Sequence, residues 1–493
     1  MPRIFNLQIS IWKLLLFSGD LVCYGLSVVA SLYLNPNTEH PWEFLAQNHL
    51  MFIVAGLVYF SIFLIGDLYD LHQDYHQPFN LARLTVNCWV GTVVGVLIVY
   101  FPFRLFVHRT QVIIQALSFA GTLVVWRTFF SAVAFPQRLQ KKALIVGAGK
   151  SGKFLLQSLR QNPQGGILPV GFVDDDPQKV GTVIEGAPVL GTSKNLRQLI
   201  ADCQISLLAV AITHEKSDAL VTALTQVYWS GCKIVDMPSL FESLEDKLPL
   251  DHISDSWLLL NSLSKPTLYY RYFKRIMDLI LSGFLLMPTL PLFGLIALAI
   301  KLDSPGPVFY RQERLGHEGQ PFQIIKFRTM VENAEIDGQQ WSRENDPRVT
   351  RVGNLLRKMR LDELPQLINV FKGEMSFIGP RPERPIFIKE FSEPVPEWRL
   401  VKSRHNLEAN EKCVFKEKIP FYSYRLLVKP GLTGWAQVMY PYASSLEESR
   451  EKLMYDLYYI KNMGFLLDVV ILLKTVRIVL FGARTLADSR SFT

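Results

Sequence analysis

Hydrophobic residues in this chain are gathered into blocks. Four near-uncharged runs come first, Ile11–Leu34, Leu50–Ile65, Leu84–Phe103 and Val112–Phe135. Each reaches or approaches the roughly 20 residues that carry a helix across a bilayer core. Buried core helices would need a polar shell, and the first 135 residues hold almost nothing to make one. The first run is too long for a cleavable signal, and further spans follow it. From Ala143 the pattern changes to short apolar strands and amphipathic helices. Ala143–Val146 leads into Gly147-Ala148-Gly149-Lys150-Ser151-Gly152, a helical stretch Phe154–Arg160, a second strand Pro169–Val173 and then Asp174-Asp175-Asp176-Pro177. Apolar runs at Ser206–Ile212 and Lys233–Asp236 continue the alternation, which predicts a parallel sheet of Rossmann type.

A fifth apolar run, Ile276–Ile300, carries only Asp278 as a charge and is long enough to span. Pro288 and Pro291 interrupt it at the middle, where each removes a helix donor. Cations flank both ends, with Arg271, Lys274 and Arg275 before it and Lys301, Arg311 and Arg314 after it. A re-entrant helix, broken at Pro288 and returning to the face it entered, fits this pattern better than a crossing. An ordinary kinked span and a buried hairpin are the alternatives. Asp278 beside Lys274 and Arg275 is expected to form an ion pair. The last apolar stretch, Met463–Phe481, carries Asp468, Lys474 and Arg477 and is expected to pack on its domain or lie in the interface.

The expected organisation is a four-helix transmembrane region over 1–137 and a Rossmann-like parallel α/β domain over 138–265. A mostly α catalytic domain then fills 266–493, with its re-entrant helix at about 274–301. Lys and Arg number 52 against 44 acids, giving a net charge of +8. Membrane-surface and phosphate contacts explain that excess more simply than nucleic acid. Arg3, Lys13, Arg83, Arg138, Lys141 and Lys142 put both the N-terminus and everything after Gln140 on the cytoplasmic side, against Arg104 and Arg109. The five cysteines, at 23, 88, 203, 232 and 413, show neither metal spacing nor a disulfide framework.

Two places carry candidate chemistry. In the Rossmann-like region Gly147, Gly149 and Gly152 would let a backbone approach phosphates, and Asp174 would hold a ribose hydroxyl. A scaffold that binds nothing fits the same residues equally well. The second place is more specific. Asp362 and Glu363 stand just before Pro365, which favours a helix start, and a short amphipathic helix is expected to run to about Lys372 and stop at Gly373. The acid pair thus sits at a positive helix end, with Arg343, Arg348, Arg351, Arg357, Lys358 and Arg360 upstream. Carboxylates among many cations suit a metal-bound substrate that bears phosphate.

From about Lys274 onward the sequence resembles the bacterial sugar transferases, the monotopic polyprenyl-phosphate phosphoglycosyl transferases. The resemblance rests on Lys274-Arg275 with Asp278, the Pro-broken helix, the segments 306–316 and 326–330, and Asn345-Asp346-Pro347-Arg348. It continues through Leu361-Asp362-Glu363-Leu364-Pro365-Gln366, Gly379-Pro380-Arg381-Pro382 and the segment 429–438. The middle region resembles the CoA-binding-like domain of membrane-bound polysaccharide enzymes, and spans plus this module resemble the family's long members.

The resemblance implies Mg²⁺-dependent transfer of sugar 1-phosphate from a UDP-sugar, by weak preference a hexose, to undecaprenyl phosphate. UMP is released, and the step opens exopolysaccharide, capsule or O-antigen assembly at the bacterial inner membrane. It makes Asp362 the nucleophile and Glu363 the Mg²⁺ ligand. Lys326, Arg328 and Arg381 would hold phosphate oxygens, with Arg314, Arg348 and Arg360 as second candidates. Many relatives carry a small polar residue and Ser or Thr where this chain has Met359 and Arg360. A homodimer is the expected assembly. Two rivals stand beside this reading. One is an inert membrane scaffold of glycan assembly. The other is a nucleotide-sugar dehydratase, for which only the spacing of Tyr270 and Lys274 speaks.

Overall fold

The computed structural model describes residues 3–4, 7–8, 11–36, 39–69, 75, 77–103, 109–134, 140–212, 217–229, 231–254, 257–258, 272–332, 334, 346–385, 419–440 and 446–481. Arg104, Arg138, Tyr270, Arg271, Arg343, Asn345 and Cys413 lie outside them. The chain forms two compact units that divide between Glu245 and Asp246.

The first unit opens with helices α1 (Ile11–Leu34), α2 (Pro41–Ile65), α3 (Pro78–Phe103) and α4 (Arg109–Ala134). Their outward faces are apolar, with Leu21, Val22, Leu26, Leu57 and Val125 all more than half exposed. Several polar groups, among them Asp20, Ser31, Gln111 and Arg127, point inward. Arg127 and Asp20 form a fully buried bidentate pair, Nε to Oδ1 at 3.1 Å and Nη2 to Oδ2 at 2.6 Å. Gln111 bridges Asn35 and Ser31. Apolar outside and polar inside is the arrangement of helices whose solvent is lipid. Together with the apolar length of these helices, it makes this a membrane protein.

The same unit continues with a six-stranded sheet. Strands β1 (Lys141–Val146), β2 (Ile167–Val173), β4 (Ala187–Gly191), β5 (Leu207–Val210) and β6 (Lys233–Asp236) pair in parallel. The short β3 (Val183–Ile184) joins β4 antiparallel at the edge, giving the order β3-β4-β2-β1-β5-β6. Helices α5 (Lys150–Gln161), α6 (Leu196–Cys203), α7 (Asp218–Trp229) and α8 (Met237–Glu245) cover it. The parallel strands run outward in both directions from β1, the doubly wound pattern. Residues 143–146 are buried on both faces, which explains why they lack polar alternation.

The second unit begins before the expected limit at 265, because Leu248, Leu250 and Leu258 pack into its core with Trp435, Tyr455 and Tyr459. Helix α9 (Lys274–Asp303) runs without interruption through Pro288 and Pro291. The expected break at Pro288 is therefore not a gap in the helix; proline can kink a helix without ending it. Lys274 pairs with Asp468 at 2.7 Å instead of the expected Asp278, whose carboxylate accepts hydrogen bonds from Ser376 and Phe377. Tertiary partners displace the local pair.

After α9 come the antiparallel hairpin β7 (Phe309–Leu315) and β8 (Pro321–Phe327), helices α10 (Arg351–Lys358) and α11 (Gln366–Lys372), and β9 (Ser376–Ile378). β9 pairs in parallel with β10 (Gly431–Thr433), and α12 (Trp435–Met439), α13 (Leu446–Asn462) and α14 (Phe465–Phe481) follow. A Cβ on Gly431 would lie 2.1 Å from the Gly379 nitrogen, so only glycine allows this approach. Leu467, Ile471 and Ile478 bury α14 in the unit's core.

Candidate active site

Leu361–Glu363 form a single 3-10 turn entered through Arg360, whose φ of 55° is left-handed. α11 then begins at Gln366 behind Pro365 and ends at Gly373, with φ 90°. The turn presents both carboxyls of the dyad at the N-terminal side of α11. Opposite stands β8, whose Lys326 donates to Glu363 Oε1 at 2.9 Å. The Gly379–Pro382 turn, directly after β9, brings Arg381 to the same oxygen at 2.8 Å. Three separate segments thus meet on one carboxylate.

The electrostatics separate the two acids. Burial alone would raise the Glu363 carboxyl, but Arg381 and Lys326 outweigh it and hold the group well below the usual carboxylate range. Burial and the Glu363 charge push Asp362 up, against the attraction of Lys326, Arg357 and Arg381. Asp362 makes no hydrogen bond or ion pair with another described residue. One acid is clamped and the other is left with electron pairs to offer.

The remaining sequence candidates divide. Arg314 lies under the Arg381 turn and donates to the Pro382 carbonyl at 3.0 Å; burial pulls its guanidinium down to about 10. Arg328 is placed differently from the expected phosphate ligand. It clamps the end of α9, donating to the Ser304 carbonyl and hydroxyl at 2.8 and 2.9 Å and also to the Pro305 carbonyl. Arg348 chelates Asp346 at 2.6 and 2.9 Å and reaches the Ala334 carbonyl. Both guanidiniums are oriented by their own scaffold, and Arg360 makes no ion pair with the dyad among the described residues. Arg357 was missed as a named site residue. Its Nε donates to Thr329 and its charge lowers the Asp362 pKa. Its place in the last turn of α10, one turn before the acids, was the available signal.

In the first unit, Gly147 turns at φ 104°, Gly149 is the N-cap of α5 and Gly152 passes the Gly147 carbonyl where a Cβ would come within 2.0 Å. Gly147 and Gly149 border a cavity of about 380 Å³ with Lys150, Ser151, Asp174 and Lys179. Asp174 is already engaged. It accepts from the Ala148 and Asp176 amides at 2.8 and 3.0 Å and pairs with Lys179 at 3.2 Å. Despite partial burial these donors keep its carboxyl below the ordinary range. It closes the glycine turn while still lining the cavity.

Residues 269–482 match the bacterial sugar transferase family, and residues 65–238 match a CoA-binding domain. An Escherichia coli (strain K12) UDP-glucose:undecaprenyl-phosphate glucose-1-phosphate transferase is 33% identical over 352 residues, covering 68% of this chain and 67% of that protein. The chain belongs to the bacterial sugar transferase family. It is 40% identical to an Aeromonas hydrophila UDP-N-acetylgalactosamine-undecaprenyl-phosphate N-acetylgalactosaminephosphotransferase over 52% of its own length and 56% of that protein. A Klebsiella pneumoniae UDP-glucose:undecaprenyl-phosphate glucose-1-phosphate transferase is 28% identical and covers 96% of both chains. Membership in this family sets the dehydratase rival aside, and Lys274, on which that rival leaned, is committed to Asp468 and Tyr459.

Proposed function

We propose that this bacterial sugar transferase moves a sugar 1-phosphate from a UDP-sugar to undecaprenyl phosphate with release of UMP, through Asp362. The observation that carries the assignment is the contrast within the dyad. Glu363 is held by Lys326 and Arg381, whereas the neighbouring Asp362 has no described partner. In the first step an Asp362 carboxylate oxygen bonds to the donor's β-phosphorus, and the bond from that phosphorus to the bridging oxygen breaks as UMP leaves. In the second step a lipid phosphate oxygen attacks the same phosphorus and the aspartate is regenerated. Splitting the transfer in this way is what a positioned carboxylate nucleophile offers. Phosphoryl transfer needs mainly alignment and neutralised charge. Lys326, Arg381 and Arg357 all act electrostatically on Asp362, which supports their holding the diphosphate oxygens of a donor that reaches it.

The residues present also fit Mg²⁺. Both cations meet Glu363 at Oε1, which leaves Oε2 without an ion pair among the described residues. Those residues contain no cluster of three or more metal-binding side chains. A hard cation held by one or two carboxylates and completed by substrate phosphate oxygens is the usual Mg²⁺ arrangement. Bound there, Mg²⁺ would offset the charge of the dyad and the diphosphate.

α9 is read as a re-entrant helix bent near Pro288. Straight, its 30 residues would reach about 45 Å. Yet Arg275 at one end donates to Val370 and Phe371, while Asp303 at the other accepts from the Val352 amide. Both ends are bonded into the same compact unit, so a crossing would separate partners that touch. Entry and return from the cytoplasmic face sets Asp362 near the lipid phosphate. The four apolar helices of the first unit are read as four spans that bring the chain back to that face.

The test is UMP release by the protein in nanodiscs with Mg²⁺ and undecaprenyl phosphate, across UDP-glucose, UDP-galactose and their N-acetylated forms. Lipid-dependent UMP from one donor, lost in Asp362→Asn, is the expected result. UMP release equal in parent and variant would overturn the assignment.

A further inference from the structure

One turn of the membrane helix holds both halves of the dyad's surroundings. Its three polar side chains, Lys274, Arg275 and Asp278, all point into the catalytic unit. Arg275 donates from Nη1 to the Val370 carbonyl at 2.7 Å and from Nη2 to the Phe371 carbonyl at 2.8 Å. These are carbonyls of the last turn of α11, where helix carbonyls run short of amide donors; Val370 also accepts from the Gly373 amide at 3.0 Å. The other end of α11 follows the turn that carries Asp362 and Glu363. Gly373 makes room for this cap. A Cβ there would lie 3.1 Å from the Arg275 guanidinium.

Asp278, one turn further along α9, is 4% exposed, and its Oδ1 accepts from the Ser376 hydroxyl at 3.0 Å and the Phe377 amide at 2.8 Å. Both donors belong to β9, the strand that runs directly into the Arg381 turn. Lys274 completes the set through Asp468 and Tyr459, and the Tyr459 hydroxyl reaches the Ile378 carbonyl on β9 at 3.3 Å. The element carrying Glu363 and the element carrying Arg381 are therefore tied to adjacent positions of one rigid helical turn.

We infer that Arg275 and Asp278 are positioning residues for the transfer, fixing the distance between the dyad turn and Arg381 so that donor phosphate meets a preformed Glu363–Arg381 pair. The inference rests on the proposed role of the dyad and adds how its geometry is held. Hydrogen bonds to a charged acceptor are stronger than those between neutral groups, enough to decide where a short strand sits. A cation misplaced by an ångström weakens the donor half of the reaction, because alignment is most of the catalysis. The diphosphate and its departing UMP are present only in the donor half, so that half feels the spacing most.

The experiment is steady-state kinetics of nanodisc-held Asp278→Ala, Asp278→Asn and Lys247→Met, with thermal unfolding of each. Asp278→Ala is expected to lower kcat/KM for the UDP-sugar about tenfold or more while KM for undecaprenyl phosphate stays within about twofold. Asp278→Asn keeps an oxygen that accepts both hydrogen bonds, so it should return to within about threefold of the parent. Lys247→Met removes the part-buried pair with Glu451 and should lower stability with both KM values unmoved. If Asp278→Ala does not fold, Ser376→Ala removes one of the two bonds and should show the same donor-selective loss. Equal losses toward donor and lipid, or a loss that only follows the unfolded fraction, would overturn the inference. A parent protein that releases no lipid-dependent UMP would instead refute the functional reading beneath it.

Discussion

Two carboxylates in this protein meet arginine, one fully buried and one part-buried, and they end in opposite states. Asp20 in the four-helix region gives both oxygens to Arg127, and Arg127 gives its remaining Nη1 to the Leu68 carbonyl and the Tyr75 hydroxyl at 2.6 and 3.0 Å. Nothing in that set is left to offer, and both side chains are 0% exposed. Glu363 also meets an arginine and a lysine, but on one oxygen only, with an unpartnered aspartate beside it. The difference separates a structural charge from a chemical one. A saturated pair holds helices together, whereas an unsaturated one waits for phosphate. Charge alone does not distinguish them; the count of unmet hydrogen-bonding positions does.

Asp362→Asn should break the chemical side of the comparison most severely. Lipid-dependent UMP release should fall by about three orders of magnitude or more, since an amide oxygen is a poor nucleophile. Unfolding should be little changed or slightly harder, because a buried charge is removed. Next in size, Arg381→Met and Lys326→Met should each lower kcat by about a hundredfold, as expected when a cation aimed at transferring phosphate is deleted.

The pH profile sharpens the same contrast. Asp362 must be ionised to attack and its carboxyl is pushed up, so activity should fall as pH drops through a value above the ordinary aspartate range. In Arg381→Met that acid limb should move further up, because a cation favouring the ionised form is gone. A limb that stays in place would deny the two groups their coupling. Glu363 behaves in the opposite sense. Its depressed pKa means its pair contributes stability above the usual glutamate value and loses it only as pH falls through the lower one.

Arg127→Met tests the structural side. It should cost about 3–5 kcal/mol by leaving Asp20 buried and unpaired, yet activity per folded molecule should stay within about twofold. The smallest kinetic effect is expected from Arg328→Met. Thermal stability should drop by about 1–3 kcal/mol as the Ser304 and Pro305 carbonyls lose their donor, with KM for the UDP-sugar unmoved. A raised donor KM would return Arg328 to the phosphate.

The sequence made the large elements legible because hydropathy blocks and strand–turn–helix alternation are set by solvent, lipid or water, one residue at a time. The dyad, Lys326 and Arg381 were legible because several motifs converge on them. Arg328 and Arg348 were not, since their acceptors are carbonyls and a neighbouring aspartate that only the folded turn presents. Asp278 was expected beside Lys274 and instead reached Ser376 and Phe377, a choice settled by strands that approach from far along the chain. Which core takes Leu248, Leu250 and Leu258 is not legible in the sequence, because such residues look the same whichever core they enter.

The parallel pairing of β9 with β10 bears on the order in which this enzyme comes into being. β9 leads into the Arg381 turn, but its partner is encoded only at Gly431–Thr433, beyond the long 386–418 stretch. While the ribosome is still translating that stretch, the membrane helix and the acid pair already exist but the strand that aims Arg381 has nothing to pair with. Non-local pairings of this kind form late. On the role proposed for Arg381, a chain that has not yet reached Thr433 holds the acid pair without the strand pairing that fixes its arginine.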